Sequence, residues 1–412
     1  MEQYLNDIDT VLLRKNKVRI VRMYLEEGTR DHEHKVRNIG RGSLIEVPFH
    51  VSAAKDDPKR RMRAVGKNRG TLFNELVRDL LVYNPILYSI LFRRLLGLFY
   101  PRPGKYNIYD AREKLRKLNE QYRFDLIVMH DIGTTDSQEI IEESNKLDVP
   151  YVFVNHYSND RFRNVSIREQ LGGAAGIAGV NAFGVPRWVR KRFVNLSDGI
   201  DTEFFSVENA KPLQVGKDLP IIFYPARILP VKGQMDLLKA AVNLKREGVQ
   251  ATLVFAGRTD SHEYEEELKK MTQESGLNED VIFVGQLNVE ELRDWYGIST
   301  VLGFPTYHQE GLGRITIEAQ AMKVPPVAYI IGGTPEGIRH GKTGFLVKKG
   351  DLHTFTQRLK ELLTDENKRK KMGEAGRKFV LENFSLDALA ERHEKFYLSA
   401  LTNARRNIPW GN

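Results

Sequence analysis

In the second half of the chain, short apolar runs alternate with amphipathic helical stretches, and no other feature restricts the fold so tightly. The runs 220–227, 251–257, 281–286, 301–306 and 326–331 are rich in β-branched and aromatic residues, and stretches of helical periodicity at 234–247, 263–275, 289–297 and 314–322 separate them. Strands spaced by helices of that length predict βαβ units and a parallel sheet. The runs are near-continuously apolar, as strands covered on both faces must be. Three more helical stretches, 351–364, 366–383 and 386–401, close the chain.

The first half is less regular. Residues 124–130 and 150–156 read as buried parallel strands separated by a helix at 137–146. Upstream, 17–25 and 44–50 read as strands, 1–16 as a helix and 75–98 as mostly helical. A chain of 412 residues exceeds one ordinary core and is expected to form two or three domains. The predicted architecture is α/β: two doubly wound parallel-sheet domains facing each other across a cleft. The first spans 1–205 and the second 220–385. The polar segment 206–219 links them, and 386–412 is expected to form a helix packing back towards the first. Ligands of open α/β sheets sit beyond the carboxyl ends of the strands, so the cleft is the expected site.

Charge and composition narrow the partners. The net charge of +9 is unevenly spread, and KRRMRAVGKNR at 59–69 carries six basic residues and no acid. Such a run is either a solvated loop or a surface that attracts anionic headgroups, phosphates or nucleic acid. With no helix-turn-helix signal, no aromatics interleaved in the run and no zinc pattern, nucleic acid is not expected. There is no cysteine, which excludes disulfides and thiolate metal sites and accords with a reducing compartment. The first twenty residues do not read as a secretory signal. No stretch reaches about 20 uninterrupted apolar residues; the nearest, 84–100, is broken by Arg93 and Arg94. A cytoplasmic location is expected, with peripheral contact at the inner face of the membrane.

Candidate site residues fall just after strands. Arg227 and Lys232 lie on the turn after the first strand of the second half, where two cations beside a helix N-terminus favour an anion. Arginine grips phosphate bidentately and lysine acts as a point charge; taken alone, they are also what two surface cations look like. In EGLGRITIEA, Glu310 precedes a turn with Gly311 and Gly313, where backbone approaches a ligand with no Cβ in the way. The helix that follows directs roughly half a positive charge at the same place. Glu318 lies more than one turn into that helix, so the two acids meet different parts of an extended ligand. A glycosidase would need two carboxyls about 5 to 10 Å apart across one bond. GGTPE at 332–336 repeats the glycine turn after the next strand, with two freed amides expected and Thr334 and Glu336 as polar groups.

From about residue 220 to 401 these motifs resemble the nucleotide-sugar domain of the retaining glycosyltransferases of family four, which have the two-domain GT-B fold. The resemblance rests on Arg227 with Lys232, Glu310 with Glu318 (seven residues between them), GGTPE, HGKTGFLV at 340–347, and VNLSDGIDTEFF at 194–205. It implies a sugar moved from a nucleoside-diphosphate sugar to a glycan or lipid-linked acceptor, with retention and with no metal or other cofactor. Arg227 and Lys232 would neutralise the departing diphosphate. Glu310 would contact the transferred sugar and Glu318 the ribose hydroxyls. Gly311, Leu312, Gly313 and Arg314 would line the donor, and Gly285 and Gln286 would lie near the base. His130 matches the family's acceptor-side histidine, and His156, Gly332 and Thr334 are further acceptor-side candidates.

The chain departs from the family pattern. Asp198 stands where Asn is usual, Arg314 follows the glycine turn directly, and Lys323 occupies a frequent glycine position. The usual opening strand with its glycine-rich loop is either missing or remodelled around Gly40–Gly42. Asp7 with Asp9 reads as helix capping, and His32 with His34 as a solvated loop. Two other functions compete: a non-catalytic scaffold that partners a true transferase, and a sugar-nucleotide epimerase. The two-acid spacing disfavours the epimerase, and retention of Arg227, Lys232 and Glu310 disfavours the scaffold.

Overall fold

The computed structural model describes residues 19–26, 35–39, 42–50, 109–130, 135–155, 162 and 165–405. The basic run 59–69, the stretches 75–98 and 84–100, the helix expected at 1–16, Asp7, Asp9, His32, His34, Gly40, Asp131 and His156 lie outside those residues.

The first described strands are β1 (Arg19–Glu26), β2 (Lys35–Ile39) and β3 (Gly42–His50). They form a separate sheet in which β1 pairs with β3 in parallel and β2 with β3 antiparallel. The β2 strand was not anticipated, since five residues alternating Lys35, Val36, Arg37 give too short a period-two signal. Next come α1 (Tyr109–Tyr122), β4 (Ile127–His130), α2 (Thr135–Lys146), β5 (Tyr151–Asn155), α3 (Val165–Gly172), β6 (Gly176–Gly179), α4 (Arg187–Arg190) and β7 (Phe193–Asn195). Strands β4 to β7 form the first sheet of the two α/β halves, parallel and in chain order. Alternation along β5 divides its side chains between two faces. Tyr151 and Phe153 join Met129, Phe162 and Ile177 on one side. Val152 and Val154 join Ala178 and Leu196 on the other.

The second unit contains β8 (Ile221–Pro225), α5 (Gln234–Arg246), β9 (Thr252–Ala256), α6 (His262–Glu274), β10 (Val281–Gly285), α7 (Val289–Ile298), β11 (Val301–Phe304), α8 (Arg314–Ala321), β12 (Pro326–Tyr329) and β13 (Phe345–Val347). Its strands are parallel in the order β10-β9-β8-β11-β12-β13. The chain runs outward from β8 through β9 to β10, then returns to β11 on the opposite side of β8. The switch point therefore lies between β8 and β11, where open sheets bind ligands. Phe223, Tyr224, Phe255, Tyr296 and Tyr329 fill the core, each phenylalanine burial worth about 1.5–3 kcal/mol. Asn288 and Glu291 form a reciprocal capping box at the start of α7.

Helices α9 (Leu352–Thr364), α10 (Glu366–Phe384) and α11 (Leu386–Arg405) complete the chain. In α10, the Arg377 guanidinium donates to the carbonyls of Thr202, Phe205 and Ala321 at 2.6–2.9 Å, tying the segment after β7 to the second unit. Helix α11 returns to the first sheet and buries Phe396 and Ala400 beside Val152 and Val154. Gly176 makes room for it, because a Cβ there would lie 2.8 Å from the Phe396 ring.

Candidate active site

The site begins at the end of β8. The chain turns through Pro230–Lys232, and Gly233 opens α5 with φ +76. A Cβ at Gly233 would lie 2.0 Å from the Pro305 carbonyl oxygen, so only glycine lets this turn press against the segment leaving β11. The Tyr307 amide donates to the Val231 carbonyl at 2.8 Å. The Tyr224 hydroxyl donates to the Lys232 carbonyl at 2.5 Å, and burial followed by the Glu310 charge pushes that hydroxyl well above its ordinary range. Held in this way, Lys232 Nζ lies 2.6 Å from Glu310 Oε1, the two side chains 13% and 19% exposed. Arg227, by contrast, is exposed and paired with Asp260 of the loop after β9, at 2.6 Å. Arg258 shares that carboxylate, and bonds from Arg258 first and Arg227 second hold it below its usual range.

Glu318 has separate partners. It is buried in α8, where Tyr296 donates to Oε2 at 3.2 Å and Arg314, one turn earlier, to Oε1 at 3.1 Å. Burial raises its carboxyl above the ordinary value and the Arg314 charge opposes that rise. Burial also raises Asp198, again opposed by Arg314, so two departures from the family pattern feel one another. The Leu312 side chain is buried in the hydrophobic core, which leaves its backbone for any donor contact. Gly313 caps α8 with φ +73, while Gly311 is exposed.

The GGTPE turn is packed onto this loop. A Cβ at Gly332 would lie 2.1 Å from the Glu310 carbonyl oxygen, and one at Gly333 would lie 1.6 Å from that of Gly311. The Gly333 amide, expected to be free for a ligand, donates to the Glu310 carbonyl at 3.0 Å. These glycines serve close backbone contact. The Thr334 hydroxyl is buried without a hydrogen-bond partner and faces the Gly313 turn, 3.6 Å from where a Cβ on Gly313 would stand. Glu336 reaches the first sheet: Oε1 accepts from the Ala182 amide at 2.9 Å and Oε2 from Asn195 Nδ2 at 2.6 Å.

The remaining candidates lie further out. Gly285 (φ +74) sits at a bulge in β10 with open space where a Cβ would be, and the neighbouring Gln286 is exposed. His130 ends β4, half-buried. Among the described residues no group of three or more His, Asp or Glu side chains could hold a metal ion, and no helix is long and apolar enough to cross a membrane. Asp260, Tyr296, Asn195 and Arg377 carry no local sequence signal. Each acts through a partner distant in the chain, which no local spacing reports.

Comparisons with known proteins agree with this geometry. Residues 206–379 match the family described as glycosyl transferases group 1. The chain is 31% identical over 212 residues to a GDP-mannose-dependent alpha-(1-6)-phosphatidylinositol monomannoside mannosyltransferase of Mycobacterium tuberculosis, covering 49% of this chain and 54% of that one. It is likewise 31% identical over 207 residues to the capsular polysaccharide biosynthesis glycosyltransferase CapM of Staphylococcus aureus, covering 49% and 53%. The chain thus spans about half the length of the curated relatives it matches. Among solved structures, a glycosyltransferase from Rickettsia africae aligns with TM-score 0.61 at 20% identity, covering 73% of this chain and 83% of that one. A sucrose-phosphate synthase from Thermosynechococcus elongatus aligns with TM-score 0.62 at 18% identity, covering 97% and 93%. These likenesses show the fold, which is the GT-B architecture expected from the sequence.

Proposed function

We propose, for a chain whose residues 206–379 belong to the glycosyl transferases group 1, that it moves a sugar from a nucleoside-diphosphate donor to a glycan or lipid-linked acceptor, with retention and without a metal. The observation that carries this reading is the Lys232–Glu310 pair at the switch point between β8 and β11, with Glu318 held apart by its own partners. The ribose hydroxyls donate to Glu318, whose two oxygens retain lone pairs beyond those used by Tyr296 and Arg314. The diphosphate lies against Lys232 and the start of α8, and Arg227 exchanges Asp260 for a phosphate oxygen. Glu310 then accepts from hydroxyls of the transferred sugar.

In the reacting complex the anomeric carbon's bond to the diphosphate oxygen breaks as the acceptor hydroxyl bonds to that carbon on the same face. The hydroxyl proton passes to the departing phosphate oxygen, so atoms and charge balance. Fixed cations and the helix dipole stabilise the negative charge released. The relatives' names make GDP-mannose the first donor to test and membrane lipids or capsular glycans the first acceptor classes. The proposed place of action is the cytoplasmic face of the membrane.

The test is thermal unfolding of wild type and Glu318→Ala with GDP, UDP and ADP, with and without their common sugars. A nucleotide at 100 times its dissociation constant should stabilise the folded protein by about 2.7 kcal/mol, and the substitution should remove that gain. No shift with any nucleotide, together with no sugar release from GDP-mannose or UDP-glucose, would overturn the reading in favour of the scaffold.

A further inference from the structure

The Glu336 carboxylate spans the two halves of the molecule. One oxygen accepts from the Ala182 amide just after β6, and the other accepts from the Asn195 side chain at the end of β7. Asn195 is itself oriented, because its Oδ1 accepts from the Ser197 amide at 2.9 Å. Asn181, also after β6, supports the contact: a Cβ at Gly333 would lie 3.1 Å from its Cβ, and one at Gly311 would lie 3.6 Å from its Nδ2. On the other side, Glu336 closes a turn whose Gly333 amide holds the Glu310 carbonyl. A short path therefore runs from the first sheet through Glu336 and the glycine pair to the backbone of Glu310.

We infer that Glu336 is a positioning residue that fixes the first sheet against the Glu310 loop, so that sugar transfer depends on it while nucleotide binding does not. The inference rests on the proposed transfer reaction only for its kinetic half; the bridge between the two halves is a property of the fold. The partners of Glu336, which are Ala182, Asn195 and Gly333, include none of the groups assigned to the nucleotide: Arg227, Lys232, Glu318, the 311–314 segment, Gly285 and Gln286. Loss of the carboxylate removes the acceptor of the exposed Ala182 amide and of the part-buried Asn195 side-chain amide, and frees the glycine turn to shift.

The chain has no cysteine, so a pair of spin labels can be placed uniquely. Spin labels on Glu169→Cys in α3 and Lys239→Cys in α5, both exposed positions, report the separation of the two halves by electron paramagnetic resonance. Wild type should give one narrow distance distribution, and Glu336→Ala and Asn195→Ala should each broaden and lengthen it. The double variant should fall short of the sum of the two singles, since both remove the shared Glu336–Asn195 contact. Glu336→Ala should lower kcat roughly 100-fold, the cost of a misplacement of about 1 Å, and leave GDP affinity within about threefold because no donor contact is lost. Glu336→Gln keeps one accepting oxygen and should fall between wild type and Glu336→Ala in both distance and rate. If Glu336→Ala does not fold, Asn195→Ala and Glu336→Gln decide the outcome. An unchanged distance distribution, or strictly additive effects of the two alanine substitutions, would overturn the inference. If wild type neither binds a nucleotide nor transfers a sugar, the transferase reading fails, while the distance measurements and the double-variant comparison still decide the bridge.

Discussion

Glu318→Gln separates what Glu318 does for the donor from what it costs the fold. Burial raises the Glu318 carboxyl above its ordinary value of 4.5 despite Arg314 at 3.1 Å, so desolvation outweighs the ion pair. A carboxyl with a raised folded value contributes stability below its unfolded value and loses it as pH rises through the folded one. At neutral pH the wild-type protein therefore carries the cost of a buried charge, and the amide does not. The amide can keep the local bonds: its oxygen accepts from Arg314, its nitrogen donates to the Tyr296 oxygen, and that hydroxyl turns to the Ile315 carbonyl, 3.4 Å away. The variant should accordingly melt no lower than wild type at pH 8 and should lose any advantage below about pH 4.5. Nucleotide binding should change in the opposite direction. A hydrogen bond to a charged group is worth about 1.5–3 kcal/mol, so losing one of two ribose contacts should weaken binding on the order of 10- to 100-fold. Calorimetry across pH and titration with GDP or UDP measure the two effects on the same samples. A variant clearly less stable than wild type at pH 8, or one that binds nucleotide as tightly as wild type, would refute the argument.

Other outcomes follow from the same structure. Lys232→Met should lower kcat by about 10²–10³, the usual effect of removing one stabiliser of developing negative charge, and should lower the melting temperature because Glu310 loses its ion-pair partner; steady-state kinetics and calorimetry check both. Gly333→Ala should destabilise the protein by more than about 4 kcal/mol, because its Cβ would stand 1.6 Å from the Gly311 carbonyl oxygen, whereas Gly216→Ala, with nothing within 4 Å, should leave urea unfolding nearly unchanged. His393 is buried in α11, and burial lowers its value from 6.5 to about 4. The neutral ring therefore stabilises the fold above pH 6.5, and that contribution, about 3 kcal/mol by linkage, is lost as pH falls towards 4; His393→Leu should flatten this part of the stability profile measured by urea unfolding.

The donor half was legible because its chemistry is local. Strands β8, β9, β11 and β12 are buried on both faces, so their apolar runs stand out, and each βα turn delivers residues to the same edge of the sheet. The spacing of Arg227, Lys232, Glu310 and Glu318 is then a consequence of strand, turn and helix start, and the pairing of Lys232 with Glu310 follows from β8 lying beside β11. The first half gave weaker signals. Strand β6 is GIAG and β7 is three residues long; glycine is depleted in strands and leaves no side-chain pattern to read. HGKTGFLV carries a family resemblance but no strand signal, because only its last three residues pair as β13. By spacing alone the glycine pair at 332–333 looks like two exposed amides, and only the approach of the Glu310–Gly311 backbone reveals that it lets two loops touch.

Glu336 marks the limit of reading by spacing. Its partners Asn195 and Ala182 lie 141 and 154 residues away in sequence, so within GGTPE it looks like any acid on a turn. The same holds for Arg377, whose three carbonyl acceptors stand 56 to 175 residues away. Motif spacing alone cannot separate a transferase from a scaffold, because a domain that binds a nucleotide and never meets its acceptor half would keep every donor residue. What a transferase needs in addition is a fixed relation between that domain and the half that presents the acceptor. A carboxylate that joins the ends of β6 and β7 to the turn packed on the Glu310 loop is the contact through which the proposed transfer would obtain that relation.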